Sequence, residues 1–208
     1  MKFNELIAIA GDEPVFSTGH LLAGDVSPRG IRAQLSRWVS EGRLIMLRRG
    51  LYTIAPPYRT KTPSPFVVAN ALSPGSYVSC QSALSWHGVI PEGVPAVTSV
   101  TPGRPGIHTN PLGTFIQRHV KPDLLWGFES APMPEGGSAR MALPEKALLD
   151  LLYLEHKGGS PEYIRQLRLS GHGELSAAVL RKFAGRWGSP GLLVAAGTVI
   201  DELGGSGQ

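Results

Sequence analysis

Between Ser27 and Gly42 the chain carries one helix with both of its ends marked. Ser27 is a residue that caps, Pro28 suits the first turn, and Gly42 can stop the helix in a left-handed conformation. At about 100° per residue, Ile31, Leu35, Trp38 and Val39 fall on one arc. Arg29, Ala33, Ser36, Arg37 and Ser40 fall on the opposite arc, with Arg32 at the border. One face is patterned for burial. The other presents guanidinium groups with small residues between them, which lets the backbone approach a groove while arginines reach base edges or phosphates.

The flanking segments extend the pattern. Arg43 to Leu47 and Leu51 to Ile54 are two β-prone runs joined by Arg48-Arg49-Gly50, a glycine-containing hairpin turn. Ahead of the helix, Ser17-Thr18 opens a short segment through His20-Leu21-Leu22-Ala23, and Gly24-Asp25-Val26 makes a tight link. Residues 2–10 predict a first helix with Phe3, Leu6, Ile7 and Ala10 on a shared face. Helix, tight turn, arginine-faced helix and arginine-tipped hairpin together predict a winged helix-turn-helix domain over residues 1–60. From Ser27 to Arg59, seven arginines (29, 32, 37, 43, 48, 49 and 59) stand against the single acid Glu41. That local excess of +6 exceeds the net charge of +4 for all 208 residues, so the basic character is concentrated, as in a nucleic-acid footprint. The candidate DNA contacts are Ser17, Thr18, Ser27, Arg29, Arg32, Ser36, Arg37, Arg48 and Arg49. The plainer alternative is a solvated charged helix beside an edge hairpin. Charge, caps, spacing and hairpin agree on the first layout.

Prolines at 56, 57, 63 and 65 favour an extended connector, which places a domain boundary near residue 60. Residues 61–208 then predict a mixed α/β domain with a small sheet and several helices, and the whole chain reads as α+β. Short helices are expected at Phe66–Leu72 and Gln81–His87, with a brief strand at Tyr77-Val78-Ser79 between them. Ala96–Thr101, Thr114–His119, Leu124–Glu129 and Ala139–Ala142 read as strands of an antiparallel sheet. Pro144–Leu154 is apolar on nearly every side, the mark of a helix buried within a fold. Further helices are expected at Pro161–Leu169, over 174–187 with Leu175, Val179, Leu180, Phe183 and Trp187 on one face, and from Ser189 to Leu203. The proline-rich connector offers few apolar side chains to bind the two halves, so each is expected to fold by itself.

Motifs for catalysis are sparse. The sequence holds no GxxxxGK[ST] phosphate loop, no GxGxxG after a strand and no GxSxG elbow. Cys80, the one cysteine, and His87 read as packing residues rather than nucleophile and base. Its solitude also removes any intramolecular disulfide or cysteine-based zinc cluster. His108 and His119 lack the partners a metal would need. Pro122-Asp123 with Glu155-x-Lys157 matches the letters of a metal-dependent nuclease, but Glu155 to Lys157 closes a helical run where that chemistry needs a strand. Lys146 and Asp150, four apart on a helix, read as a surface ion pair. A non-enzymatic protein with no cofactor and no metal is expected. No stretch approaches the roughly 20 apolar residues of a membrane span, and the short run Leu6–Ala10 lacks the lead and length of an export signal. A cytoplasmic location is the simplest expectation.

Three segments in order, RLIMLRRGLYTI (Arg43–Ile54), SALSWHGVIP (Ser82–Pro91) and PEKALLDLLYL (Pro144–Leu154), resemble the AbiEi family. These are antitoxin and transcriptional-regulator proteins of bacterial type IV toxin–antitoxin systems, linked to abortive phage infection. The resemblance covers most of residues 1–155. It implies a winged domain that represses its own operon by binding inverted repeats in promoter double-stranded DNA. It implies a second domain that opposes a co-encoded nucleotidyltransferase-like toxin, with or without direct contact. By position, the arginines of Ser27–Glu41 match the family's recognition helix and Arg48-Arg49-Gly50 its wing. Leu143, which cannot cap, stands just before Pro144 and departs from a regular helix start. The alternatives are a DNA-targeted metal-dependent nuclease, and a solo winged-helix regulator without a toxin.

Overall fold

The helix ends marked in the sequence form by local contacts. In the computed structural model, which describes residues 1–10, 13–22, 27–59, 62–91, 93–155, 158–169 and 175–205, three helices and three strands make up the N-terminal part. They are α1 (Phe3–Ala10), β1 (Phe16–Ser17), α2 (Thr18–Leu21), α3 (Pro28–Ser40), β2 (Leu44–Arg48) and β3 (Leu51–Ile54). The link Gly24-Asp25-Val26, Lys157, the start of the helix expected from 174 and the tail beyond Gly205 lie outside the described residues. Ser27 Oγ accepts from the Gly30 amide at 3.4 Å, and Pro28 opens the first turn. At the other end Gly42 has φ +72°, its N–H donating to Val39 and that of Arg43 to Trp38. This paired closure needs a left-handed residue. Gly42→Ala is expected to lower stability by roughly 1–2 kcal/mol, read as a shifted urea midpoint with unchanged slope.

The apolar arc of α3 is buried through Ile31, Leu35 and Trp38, with Val39 partly covered. They pack with Phe3, Leu6 and Ala10 of α1, and the Phe3 ring meets Trp38 edge-on at 5.3 Å. The three strands form an antiparallel sheet in the order β1-β3-β2. Its central strand is buried at all four positions, because both of its faces are covered. Tyr52 and Ile54 belong to the core of the N-terminal helices, whereas Leu51 joins the larger core of the remaining chain. In β2 the register slips between Met46 and Arg48, and the extra residue, Leu47, is buried in that larger core together with Val15. A bulge of this kind re-aims a side chain.

The larger part is α+β with a mixed sheet. Its elements are α4 (Pro65–Leu72), β4 (Tyr77–Val78), α5 (Cys80–Trp86), β5 (Ala96–Thr101), β6 (Gly106–Asn110), β7 (Gly113–His119), β8 (Phe128–Pro132), β9 (Ser138–Ala142), α6 (Pro144–Leu154), α7 (Pro161–Gln166), α8 (Ala177–Trp187) and α9 (Pro190–Gly205). Six strands run in the order β6-β7-β5-β4-β9-β8. The expected antiparallel sheet is corrected in two places, since β4 pairs with β9, and β5 with β7, in parallel. Alternation along a strand reports its faces and carries nothing about its neighbour's direction. The expected strand Leu124–Glu129 is also corrected. Pro122–Leu124 is a short 3₁₀ turn, Trp126 is buried from a loop, and Gly127 at φ +71° delays the strand to Phe128. A Cβ at Gly127 would sit 3.1 Å from the Lys146 stem, so the loop lies directly on that side chain.

Helix α6 starts at Pro144 despite Leu143, whose N–H is satisfied by Gly127 and whose carbonyl takes the Ala147 amide. Every residue from Glu145 to Leu152 is buried. The surface pair expected at Lys146 and Asp150 is therefore wrong: both side chains are fully buried, with Nζ 2.5 Å from Oδ1. Lys146 also donates to the Tyr77 hydroxyl at 2.7 Å, and its ammonium lies 4.4 Å from the Trp187 ring centroid. Tyr77 and Ser79 donate to the other oxygen of Asp150 at 3.0 and 2.7 Å. Burial pushes Asp150 up and Lys146 down, each toward its neutral form, while their mutual contact pushes both back. An i,i+4 spacing sets the pair, and only the surroundings of α6 decide whether water reaches it.

Candidate nucleic-acid interface

On α3, Arg29, Arg32, Ser36 and Arg37 are all exposed, opposite the buried Ile31, Leu35 and Trp38. Ser27 is exposed too, with its hydroxyl engaged in capping. Among the arginines, commitments differ. Arg37 Nε lies 3.6 Å from Glu41, which also receives Arg43 Nε at 3.1 Å. Arg43 further stacks its guanidinium over the Phe3 ring at 5.4 Å. These pairs are solvent-exposed, so each is worth well under about 1 kcal/mol and leaves Arg37 available. Arg59, counted in the basic run, is partly withdrawn, with Nη1 enclosed, and burial lowers its pKa.

Arg48 and Arg49 are exposed at the tip of the β2–β3 hairpin, where Gly50 has φ +82°. The same turn is tied back to the body of the domain. The Gly50 carbonyl accepts the Thr18 N–H at 2.9 Å and the Thr18 hydroxyl at 3.5 Å. Ser17 and Thr18 are half-buried. The structure thus separates the sequence candidates into two kinds. Arg29, Arg32, Ser36, Arg37, Arg48 and Arg49 face outward with Ser27, whereas Thr18 binds the hairpin tip to the start of α2 and its neighbour Ser17 pairs with Leu51 of β3. A bond between residues 32 apart along the chain has no local signature, which is why sequence patterns miss that role.

The remaining chemical candidates stand apart from this face. Cys80 is buried with a left-handed φ of +53°, and burial together with the Asp150 carboxylate pushes its thiol up. His87 Nε2 donates to the Ala142 carbonyl and His119 Nδ1 to that of Gly103, both at 2.8 Å. Asp123 is exposed on the 3₁₀ turn, while Glu155 is paired with Arg118 at 2.9 Å. Among the described residues no three His, Cys, Asp or Glu side chains converge to hold a metal ion, and no helix is long and apolar enough to cross a membrane.

Comparison with protein-family models yields no match, and no curated protein matches in sequence. Among solved structures, the RV2827C protein from Mycobacterium tuberculosis has a similar fold. It superposes with a TM-score of 0.59 over 97% of this chain and 76% of that one, at 13% sequence identity. A likeness at that identity concerns the fold alone.

Proposed function

We propose that this chain is a DNA-binding repressor whose residues 1–60 act as a winged helix-turn-helix, with α3 as recognition helix and the β2–β3 hairpin as wing. The observation that carries the reading is the two-faced α3: arginines exposed on one side, a buried apolar arc on the other, and Arg48 and Arg49 at an exposed hairpin tip. The order of helices and strands, and the sheet β1-β3-β2, suit this layout. Together with the resemblance to AbiEi proteins, it suggests an autoregulating antitoxin of a type IV system, opposing a nucleotidyltransferase-like toxin encoded beside it. In this reading α3 enters the major groove and Arg48 and Arg49 contact phosphates at its flank.

Gel-shift titrations of the chain's own promoter at several salt concentrations test the proposal. Each bidentate arginine–guanine pair lost is expected to cost about 1–3 kcal/mol and to relax preference at one base pair. Arg29→Ala/Arg32→Ala should therefore weaken promoter binding far more than binding to unrelated DNA. Arg49→Ala should weaken all sequences alike and flatten the salt dependence by about one phosphate. Promoter binding by Arg29→Ala/Arg32→Ala as tight as that of the parent chain would sink the assignment of α3. Co-expressing the same variant with the neighbouring toxin separates the two roles, since rescue without promoter repression is expected.

A further inference from the structure

A cleft of about 390 Å³ opens beside the first turn of α5, between Ile90, residues 93–96 and strands β5 and β7. Its size lies in the range of small-molecule sites. Ile90, Val94 and Ile116 supply apolar wall, and Gln81, Arg118 and Glu155 bring polar groups to it. None of these residues belongs to the arginine face of α3, so the cleft is independent of the DNA-binding reading.

Two properties limit what the cleft accepts. The first is charge. Arg118 Nη1 donates to Glu155 at 2.9 Å and Nη2 to the Leu154 carbonyl, so the two opposite charges already offset each other while both groups keep hydrogen-bonding capacity. The Cys80 thiol on the same wall is held in its neutral form by burial. A charged guest would have to compete with the Arg118–Glu155 contact and lose its own hydration. A neutral guest with adjacent donor and acceptor atoms fits the guanidinium, the carboxylate and the Gln81 amide without breaking that contact. The second is preorganisation. The buried Ser82 hydroxyl accepts the Thr98 amide at 2.9 Å and donates to the Ala96 carbonyl at 3.2 Å, clamping α5 to β5. The Ser79 N–H adds a bond to the Thr98 carbonyl. The wall is held in place before any ligand arrives, which lowers the ordering cost of binding.

We propose that this cleft binds a neutral small molecule with an apolar body and one amide-like edge, the body against Ile90, Val94 and Ile116 and the edge against Gln81 and the Arg118–Glu155 pair. The test uses the full chain with labelled isoleucine and valine methyl groups, titrated with benzamide, benzoate and benzylammonium as probes that share one ring and differ in head group. Benzamide is expected to shift the methyl signals of Ile90, Val94 and Ile116 saturably, with each charged probe roughly tenfold weaker. Gln81→Leu keeps the shape and removes the amide, and should weaken benzamide by roughly threefold to tenfold. Position 81 is partly exposed, so this variant is expected to fold, and its methyl spectrum reports whether it has. Absence of saturable benzamide shifts, shifts centred elsewhere, a charged probe binding as well as benzamide, or Gln81→Leu binding unchanged would each overturn the proposal.

Discussion

Asp150→Ala is expected to destabilise the protein by about 3–5 kcal/mol, because it leaves the Lys146 ammonium buried without its counter-charge. The site has no easy relief. Lys146 is fully buried, and it is enclosed by the Tyr77, Trp126 and Trp187 rings. The same change removes the acceptor of the Tyr77 and Ser79 hydroxyls, which are themselves buried. The double variant Lys146→Met/Asp150→Leu should recover much of that loss, since apolar replacements of a buried pair are often near neutral. Recovery stays incomplete, as the two hydroxyls still lack an acceptor. In Asp150→Ala the sign of the pH dependence also follows. Burial depresses the folded lysine below its unfolded value, so the folded state is penalised wherever the unfolded chain holds the proton. The penalty should shrink as pH rises and vanish above about 10.4. Urea unfolding of the three proteins between neutral and alkaline pH measures this. A single variant within about 0.5 kcal/mol of the parent would mean that water reaches the pair.

A fragment of residues 1–60 is expected not to hold its fold. The connector is indeed poor in apolar residues, but the tie between the two parts lies elsewhere. Val15, Leu47 and Leu51 leave the N-terminal core and are buried in the larger one. Asn110 Nδ2 adds a bond to the Leu47 carbonyl at 3.4 Å. Exposing three such side chains forfeits about 1.5–3 kcal/mol each, a sum comparable with the entire stability of a small domain. A chain of about 60 residues has little reserve to absorb that. Circular dichroism and amide NMR of the fragment should show weak helicity and poor dispersion. A cooperative thermal transition with dispersed signals would instead make the two halves separable, as the sequence alone leads one to expect. If the fragment fails to fold, it carries no weight on the proposed DNA binding, and the arginine variants in the full chain remain the informative test.

Sequence alone determined the features that arise within one or two turns of chain. The start and stop of α3 depend on Ser27, Pro28 and Gly42, all within reach of the backbone groups they satisfy. The run Ala96–Thr101 is a strand with the bounds its pattern implies, and the apolar helix from Pro144 to Leu154 is where its composition puts it. The exposed arginines of α3 follow from the same helical spacing. Tertiary structure decided what depends on distant partners. Strand β6, with the sequence GIHTN, has too little apolar alternation to be read, and it exists as an edge strand because β7 offers it a ladder. The bulge at Leu47 turns a hairpin residue into an anchor only because the larger core lies beside it. Asp150 is a core residue because Tyr77 and Ser79, 73 and 71 positions away, bring hydroxyls to it. Caps and periodicity are short-range effects that the chain writes into neighbouring residues. Strand direction, register and the burial of a charge are settled by which remote segment arrives, and no local pattern encodes that arrival.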